Sequence, residues 1–165
     1  MVRRLSCALT VLFLLAPAAR AEDALVVYKS LSPELALDVA RAALDECRKR
    51  GYQAAIAVVD RFGVTQVMLR DRFAGAHTPA TAIGKAWTAA SFRTNTTDLV
   101  AATQPGMPQA AVRNLPQAVI LGGGVLIEAQ GSLLGAVGVS GGPGGDADDA
   151  CAKAGIAAVR DKLDF

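Results

Sequence analysis

Residues 118–140 read AVILGGGVLIEAQGSLLGAVGVS, and the fold turns on how this stretch divides. Three apolar segments, 118–121, 125–129 and 133–140, are separated by Gly122-Gly123-Gly124 and by Gln130-Gly131-Ser132. Short apolar runs bounded by glycine-rich separators spell strands, and strands this close in sequence read as an antiparallel meander. Upstream, Ala54–Asp60 and Val64–Leu69 flank Asp60-Arg61-Phe62-Gly63, a β-hairpin signature with Gly63 at the position that needs positive φ.

The flanks of these strands are helical. Ser32-Pro33 supplies an N-cap hydroxyl followed by proline at the first helical position. Leu35, Ala36, Val39, Ala40, Ala43, Leu44 and Cys47 then recur on one face, until Arg48-Lys49-Arg50 and Gly51 end the helix. A second helix is predicted from Thr78 to about Arg93. It is rich in small side chains, which permit close approach by another backbone or by a flat ligand. Thr96-Thr97-Asp98 caps a short helix through Ala102, and residues 104–116, with three prolines, read as an ordered loop. After the turn Ser140–Gly145, a last helix runs from Asp146 to about Leu163, with Ala152, Ile156, Val159 and Leu163 as its core stripe and Cys151 on its flank. Helix, two strands, helices, three strands, helix is the order of an α+β domain. The expected architecture is an antiparallel sheet of about five strands with helices packed on it, in a profilin-like or PAS-like layout. The first and last helices would then lie side by side on one face.

The N-terminus reads as an export signal. Arg3-Arg4, an apolar run from Cys7 to Ala16, and Ala19-Arg20-Ala21 supply its charged, hydrophobic and cleavage regions. The run is about half the length a membrane-spanning helix needs. Residues 1–21 are therefore expected to be removed, leaving residues 22–165 as a single periplasmic or secreted domain. The signal carries three arginines and no acid, so cleavage takes the formal net charge from +2 to −1. Nucleic-acid binding thereby loses the basic character it requires. Cleavage also removes Cys7 and leaves Cys47 and Cys151, which an oxidising compartment would join as a disulfide; two buried thiols are the alternative.

The sequence contains one histidine, His77. A catalytic triad would have to use it, yet no Gly-x-Ser-x-Gly elbow supplies the nucleophile. One histidine rules out a multi-histidine zinc site, whereas a single axial imidazole suffices for haem iron. Arg72, Lys85, Arg93 and Arg113 are candidate partners for carboxylates, haem propionates included. Solvated surface charge is the alternative for each. Trp87, Phe73 and Phe92 are candidates for an apolar pocket or for the core. Glu128, within an apolar strand, belongs either to an exposed face or to a subunit contact. The glycine-rich turn before the last helix invites a phosphate, but Asp146, Asp148 and Asp149 put negative charge where an anion would sit.

Several motifs together resemble one family. They are Ala57-Val58-Val59-Asp60 with Gly63, Arg72 with Gly75-Ala76, and Lys85-Ala86 with Thr88-Ala89. Leu121-Gly122-Gly123-Gly124, Gly135 through Gly141, and Asp148-Asp149 before Ala154-Gly155 complete the pattern. In order and spacing the chain resembles the GlcG/HbpS-like haem-binding proteins from about Leu35 to Leu163. The resemblance implies an α+β domain that forms a homo-oligomer and binds haem or a related tetrapyrrole. It also implies a role in haem sequestration, degradation or redox sensing, with a membrane or redox protein as partner. The family's haem contacts do not map onto one motif in this sequence, so His77 as iron ligand, with Arg72, Lys85, Arg93 and Arg113 as propionate partners, is a reading of this chain's own residues that the resemblance strengthens. The same resemblance is compatible with an accessory subunit of an exported oxidoreductase, or with an enzyme acting on a small organic acid.

Overall fold

A computed structural model of the chain describes residues 25–163. The export signal read over residues 1–21 lies outside them. The elements are α1 (Pro33–Lys49), β1 (Ala55–Asp60), β2 (Thr65–Arg70), α2 (Thr78–Phe92), α3 (Thr96–Ala102), β3 (Gly124–Ala129), β4 (Ser132–Ser140) and α4 (Gly145–Ala157). Short 3-10 turns at Ala110–Asn114 and Arg160–Lys162 complete the order. All pairings are antiparallel in one sheet of order β2-β1-β4-β3, with Ala55 opposite Ser140 and Val125 opposite Val137.

The pleat sorts β1 and β4 into two different faces. Ile56, Val58, Val137 and Val139 face α1 and α4, and with Val39, Ala43, Leu44 and Ala152 they form the main core. The Ser32 hydroxyl caps α1 by accepting from the Leu35 N–H at 3.2 Å. Cys47 of α1 and Cys151 of α4 are joined as a disulfide with Cα atoms 5.4 Å apart, and both are fully buried. Cys151 is thus in the core, not on the helix flank, because α1 and α4 pack closely: a Cβ on Gly155 would lie 2.7 Å from the Val39 carbonyl oxygen.

The opposite face carries Ala55, Ala57, Val59 and Ala136 against Ala82, Ala86, Ala89 and Ala90 of α2. The small residues of α2 accommodate a backbone. A Cβ on Gly138 of β4 would come within 2.0 Å of the Ala82 carbonyl oxygen, so α2 rests directly on the strand.

The sheet has four strands where the sequence suggests about five. Residues 118–121 are not a strand, although Ile120 is buried. The Val119 N–H donates to the Thr88 hydroxyl at 2.9 Å, and the Val119 side chain abuts Gly84. The segment runs along α2 with that amide satisfied by a side chain, and Gly123 at φ +112° turns the chain before β3 begins. The last helix also ends earlier than its apolar stripe suggests, at Ala157, and the chain continues through a 3-10 turn that still buries Val159 and Leu163.

Candidate ligand cavity

Three connections meet at one end of the sheet: α1 to β1, β2 to α2, and β4 to α4. Together with residues 121–122 they enclose an open cavity of about 780 Å³. Its walls are Gly51–Gln53, the Phe73–His77 segment, the first two turns of α2, and the loop from Ser140 to Gly145. Cavities of about 300–1,000 Å³ are the usual size for small-molecule and cofactor sites.

The β2–α2 connection is held from α1. Arg48 grips the Asp71 carboxylate with two parallel bonds, Nε to Oδ2 at 2.8 Å and Nη2 to Oδ1 at 3.1 Å. Asp71 Oδ1 also accepts the Arg72 N–H at 2.9 Å, and the Asp71 N–H donates to the Ala54 carbonyl at 2.9 Å. The hydrogen bonds from Arg48 hold the Asp71 carboxyl below the usual carboxylate range. This clamp fixes the root of the segment that carries Phe73 and His77.

His77 occupies the N-cap position of α2, but its side chain makes no capping bond. Thr78 instead ties the start of the helix to the preceding turn, its backbone N–H and hydroxyl both donating to the Gly75 carbonyl at 3.0 and 2.8 Å. The imidazole packs on Gly75, where a Cβ would lie 2.8 Å from Cε1, and the residue is exposed at the cavity wall. Phe73, 78 % exposed, stands on the same wall, with the Arg72 guanidinium 5.9 Å from its ring centroid.

The structure separates the other candidates. Lys85 lines the cavity at its floor, yet it is buried and engaged: Nζ donates to Asp148 Oδ2 at 2.7 Å and to the Val139 carbonyl at 2.9 Å. Arg93 caps the far end of α2 at φ 51°, about 24 Å along the helix from His77. Arg113 donates to the carbonyls of Thr103 (2.7 Å) and Val100 (3.1 Å). It lines a smaller cavity of about 360 Å³, which shares Leu121, Gly122 and Gly145 with the first. Trp87 lines a third, apolar groove with Phe62, Ile83 and Val119, apart from Phe73, and Phe92 is half-buried at the end of α2. Glu128 is exposed.

The two acids at the start of α4 have a structural use that sequence reasoning missed. Asp148 Oδ1 accepts the Gly142 N–H at 2.8 Å while its other oxygen holds Lys85. Asp149 accepts the Gly123 N–H at 2.6 Å and the Thr97 hydroxyl at 2.8 Å. Adjacent residues thereby bind two different glycine-rich loops. The signal was the coexistence in one chain of Gly-rich loops and an Asp-Asp pair, since loops without side chains need acceptors from elsewhere.

Comparison with known proteins matches this arrangement to one group. The chain is 34% identical over 115 residues to the corrinoid adenosyltransferase PduO of Citrobacter freundii. That match covers 68% of the chain and spans only about a third (34%) of the relative's length. A crystal structure of a double mutant of Streptomyces reticuli HbpS superimposes with a TM-score of 0.77 at 35% identity, covering 86% of this chain and 95% of that one. The PduOC:haem complex superimposes with a TM-score of 0.73 at 30% identity, covering 78% and 94%. A family model described as haem degrading protein HbpS-like matches residues 31–157, from just before the α1 cap to the end of α4, and the chain belongs to that family.

Proposed function

We propose that this protein binds haem or a related tetrapyrrole in the cavity beside His77, and that it does so outside the cytoplasm as a homo-oligomer. The observation that carries the reading is the His77 imidazole. It is exposed on the wall of a cofactor-sized cavity, beside the exposed face of Phe73, and makes no hydrogen bond among the described residues. The residues fit such a group: a flat apolar ring system stacks on Phe73, and an imidazole nitrogen is available for a metal. Haem, when bound, would supply an iron centre, and the His77 imidazole would be the side chain that holds it. Membership of the HbpS-like family and the likeness to the PduOC:haem complex support the same ligand.

Among the four basic candidates, Arg72 is assigned to a propionate: it does not itself line the cavity but neighbours Phe73, which does. Its guanidinium stands exposed over Phe73, whereas Lys85 is already matched by Asp148 and Arg93 is remote. Arg113 serves the adjoining cavity.

The test is a haem titration of the chain from residue 22 onward. A Soret band is expected, and His77→Ala shifts or weakens it. An unchanged spectrum and affinity in that variant removes His77 as ligand, and no Soret change in the parent protein removes the haem reading. The family description favours breakdown as a second reading. Under reductant or peroxide it predicts loss of the Soret band with release of iron, whereas a binding protein keeps both. Light scattering on the same sample reads the oligomeric state, and N-terminal sequencing of the exported protein reads the cleavage site.

A further inference from the structure

We infer that the buried Lys85–Asp148 ion pair is a positioning device: it fixes the Gly141–Gly145 loop, and so sets the cavity wall that faces the ligand. The inference rests on the reading of this cavity as the ligand site. A buried ion pair is a poor source of stability, because desolvating both charges offsets most of their attraction. The Lys85 and Asp148 side chains are 3% and 5% exposed, so that offset applies in full. What the pair does supply is geometry.

The loop it holds, Gly141-Gly142-Pro143-Gly144-Gly145, has no polar side chain of its own. The Gly144 N-cap makes no side-chain bond. Among the described residues, the one side-chain hydrogen bond this loop receives is from Gly142 N–H to Asp148 Oδ1, at 2.8 Å. Asp148 is oriented in turn by Lys85, whose Nζ also spans to the Val139 carbonyl of β4. The connection therefore runs from α2, through the lysine and the aspartate, to the loop.

The neighbouring backbone is packed so closely that the pair has little room to shift. At Gly123, at φ +112°, a Cβ would lie 2.6 Å from Asp148 Cβ and 3.0 Å from Lys85 Nζ. At Gly145 a Cβ would lie 2.8 Å from Gly122 Cα, so the two glycine loops are in contact. Lys85 therefore acts through Asp148 on the loop, in place of meeting a ligand carboxylate itself.

The test uses two variants that leave no buried charge. K85M/D148L removes both the ion pair and the acceptor for Gly142. K85M/D148N removes the ion pair but keeps an amide oxygen for Gly142. Two readouts are taken on each: hydrogen exchange at the amides of Gly142, Gly144 and Gly145, and the rate of haem release followed at the Soret band. Losing a charge-assisted anchor is expected to speed both by about tenfold in K85M/D148L. K85M/D148N is expected to lie between that variant and the parent, with a Soret maximum unchanged from the parent's. Exchange at parent rates in K85M/D148L overturns the positioning role, as does faster exchange with unaltered haem release. Equal loss of haem affinity in both variants with unchanged exchange also overturns it, and returns Lys85 to direct ligand contact. If K85M/D148L does not fold, parent-like exchange and release in K85M/D148N refute the pair's role. If the parent binds no haem, the haem reading fails alone and the exchange arm still decides the positioning claim.

Discussion

Cutting the Cys47–Cys151 crosslink is the perturbation whose magnitude follows most directly from the topology. The two cysteines are 104 residues apart, so the bridge closes a loop that takes in the whole sheet. Chain-entropy arguments give about 4.7 kcal/mol for a loop of this length, acting by restricting the unfolded chain. The unfolding entropy of a domain this size is about 0.3 kcal/mol/K, which converts that energy into a fall in Tm of about 15 °C. The substitution C47A/C151A deletes two buried sulfur atoms, which adds a smaller native-state loss in the same direction. Calorimetry and urea unfolding of the oxidised protein, the protein in reductant, and the double variant separate the two contributions. If the crosslink acts on the unfolded chain, the urea m-value rises in the reduced protein, since its unfolded state expands and exposes more surface. A Tm within about 3 °C of the oxidised parent, or an unchanged m-value, would refute the reasoning. So would two titratable thiols in protein recovered from an oxidising compartment.

Other expectations are separable from that one. Gly138→Ala forces a methyl against the Ala82 carbonyl, 2.0 Å away in the unshifted backbone, and should cost about 3 kcal/mol in a urea titration as α2 is pushed from β4. Asp71, whose carboxyl is held low by Arg48, contributes stability that is complete above the ordinary aspartate pKa of about 4 and is lost as pH falls through its lower folded value. Asp71→Asn should therefore be less stable than the parent at pH 7, and the gap should close as the pH is taken below about 4; a gap independent of pH would contradict the assignment. Trp87 lines a separate groove, so Trp87→Phe should leave the Soret maximum and haem affinity unchanged, and a shift comparable to that of His77→Ala would place the ligand on the other side of α2.

The elements visible in the sequence were those with a strong local signal. Ser32-Pro33 and Gly51 bracket α1, and the Asp60–Gly63 turn separates β1 from β2, because capping and positive φ restrict which residues serve at those points. Residues 118–121 misled because an apolar run does not say what it packs on. They have strand composition, yet the hydroxyl of Thr88, on a helix some thirty residues upstream, takes the Val119 amide that a ladder would use. The burial of Cys151 was invisible for a related reason, since it depends on how closely Gly155 lets α4 approach α1. Of the candidate site residues, His77 and Lys85 do line one cavity, but their different states could not be read from their spacing. Lys85 faces an aspartate 63 residues downstream, and no periodicity within α2 announces that partner.

Most of the motifs that carry the resemblance are held by close packing or buried bonds, although Arg72 and Gly75-Ala76 lie on the exposed cavity segment. Lys85-Ala86, Gly122-Gly123-Gly124, Gly138 and Asp148-Asp149 are frame residues: each is locked by a backbone approach under 3 Å or by a buried bond, so few alternatives fit. Phe73 and His77 are exposed on a segment that is held at its root by Arg48 and Asp71. A likeness built on the frame fixes the shape of the cavity and the loops around it. It says little about the side chains presented to a ligand, which are the ones that choose it. The decisive experiments for function therefore fall on the Phe73–His77 segment, and those on the glycine loops and the Lys85–Asp148 pair report how rigidly that ligand is held.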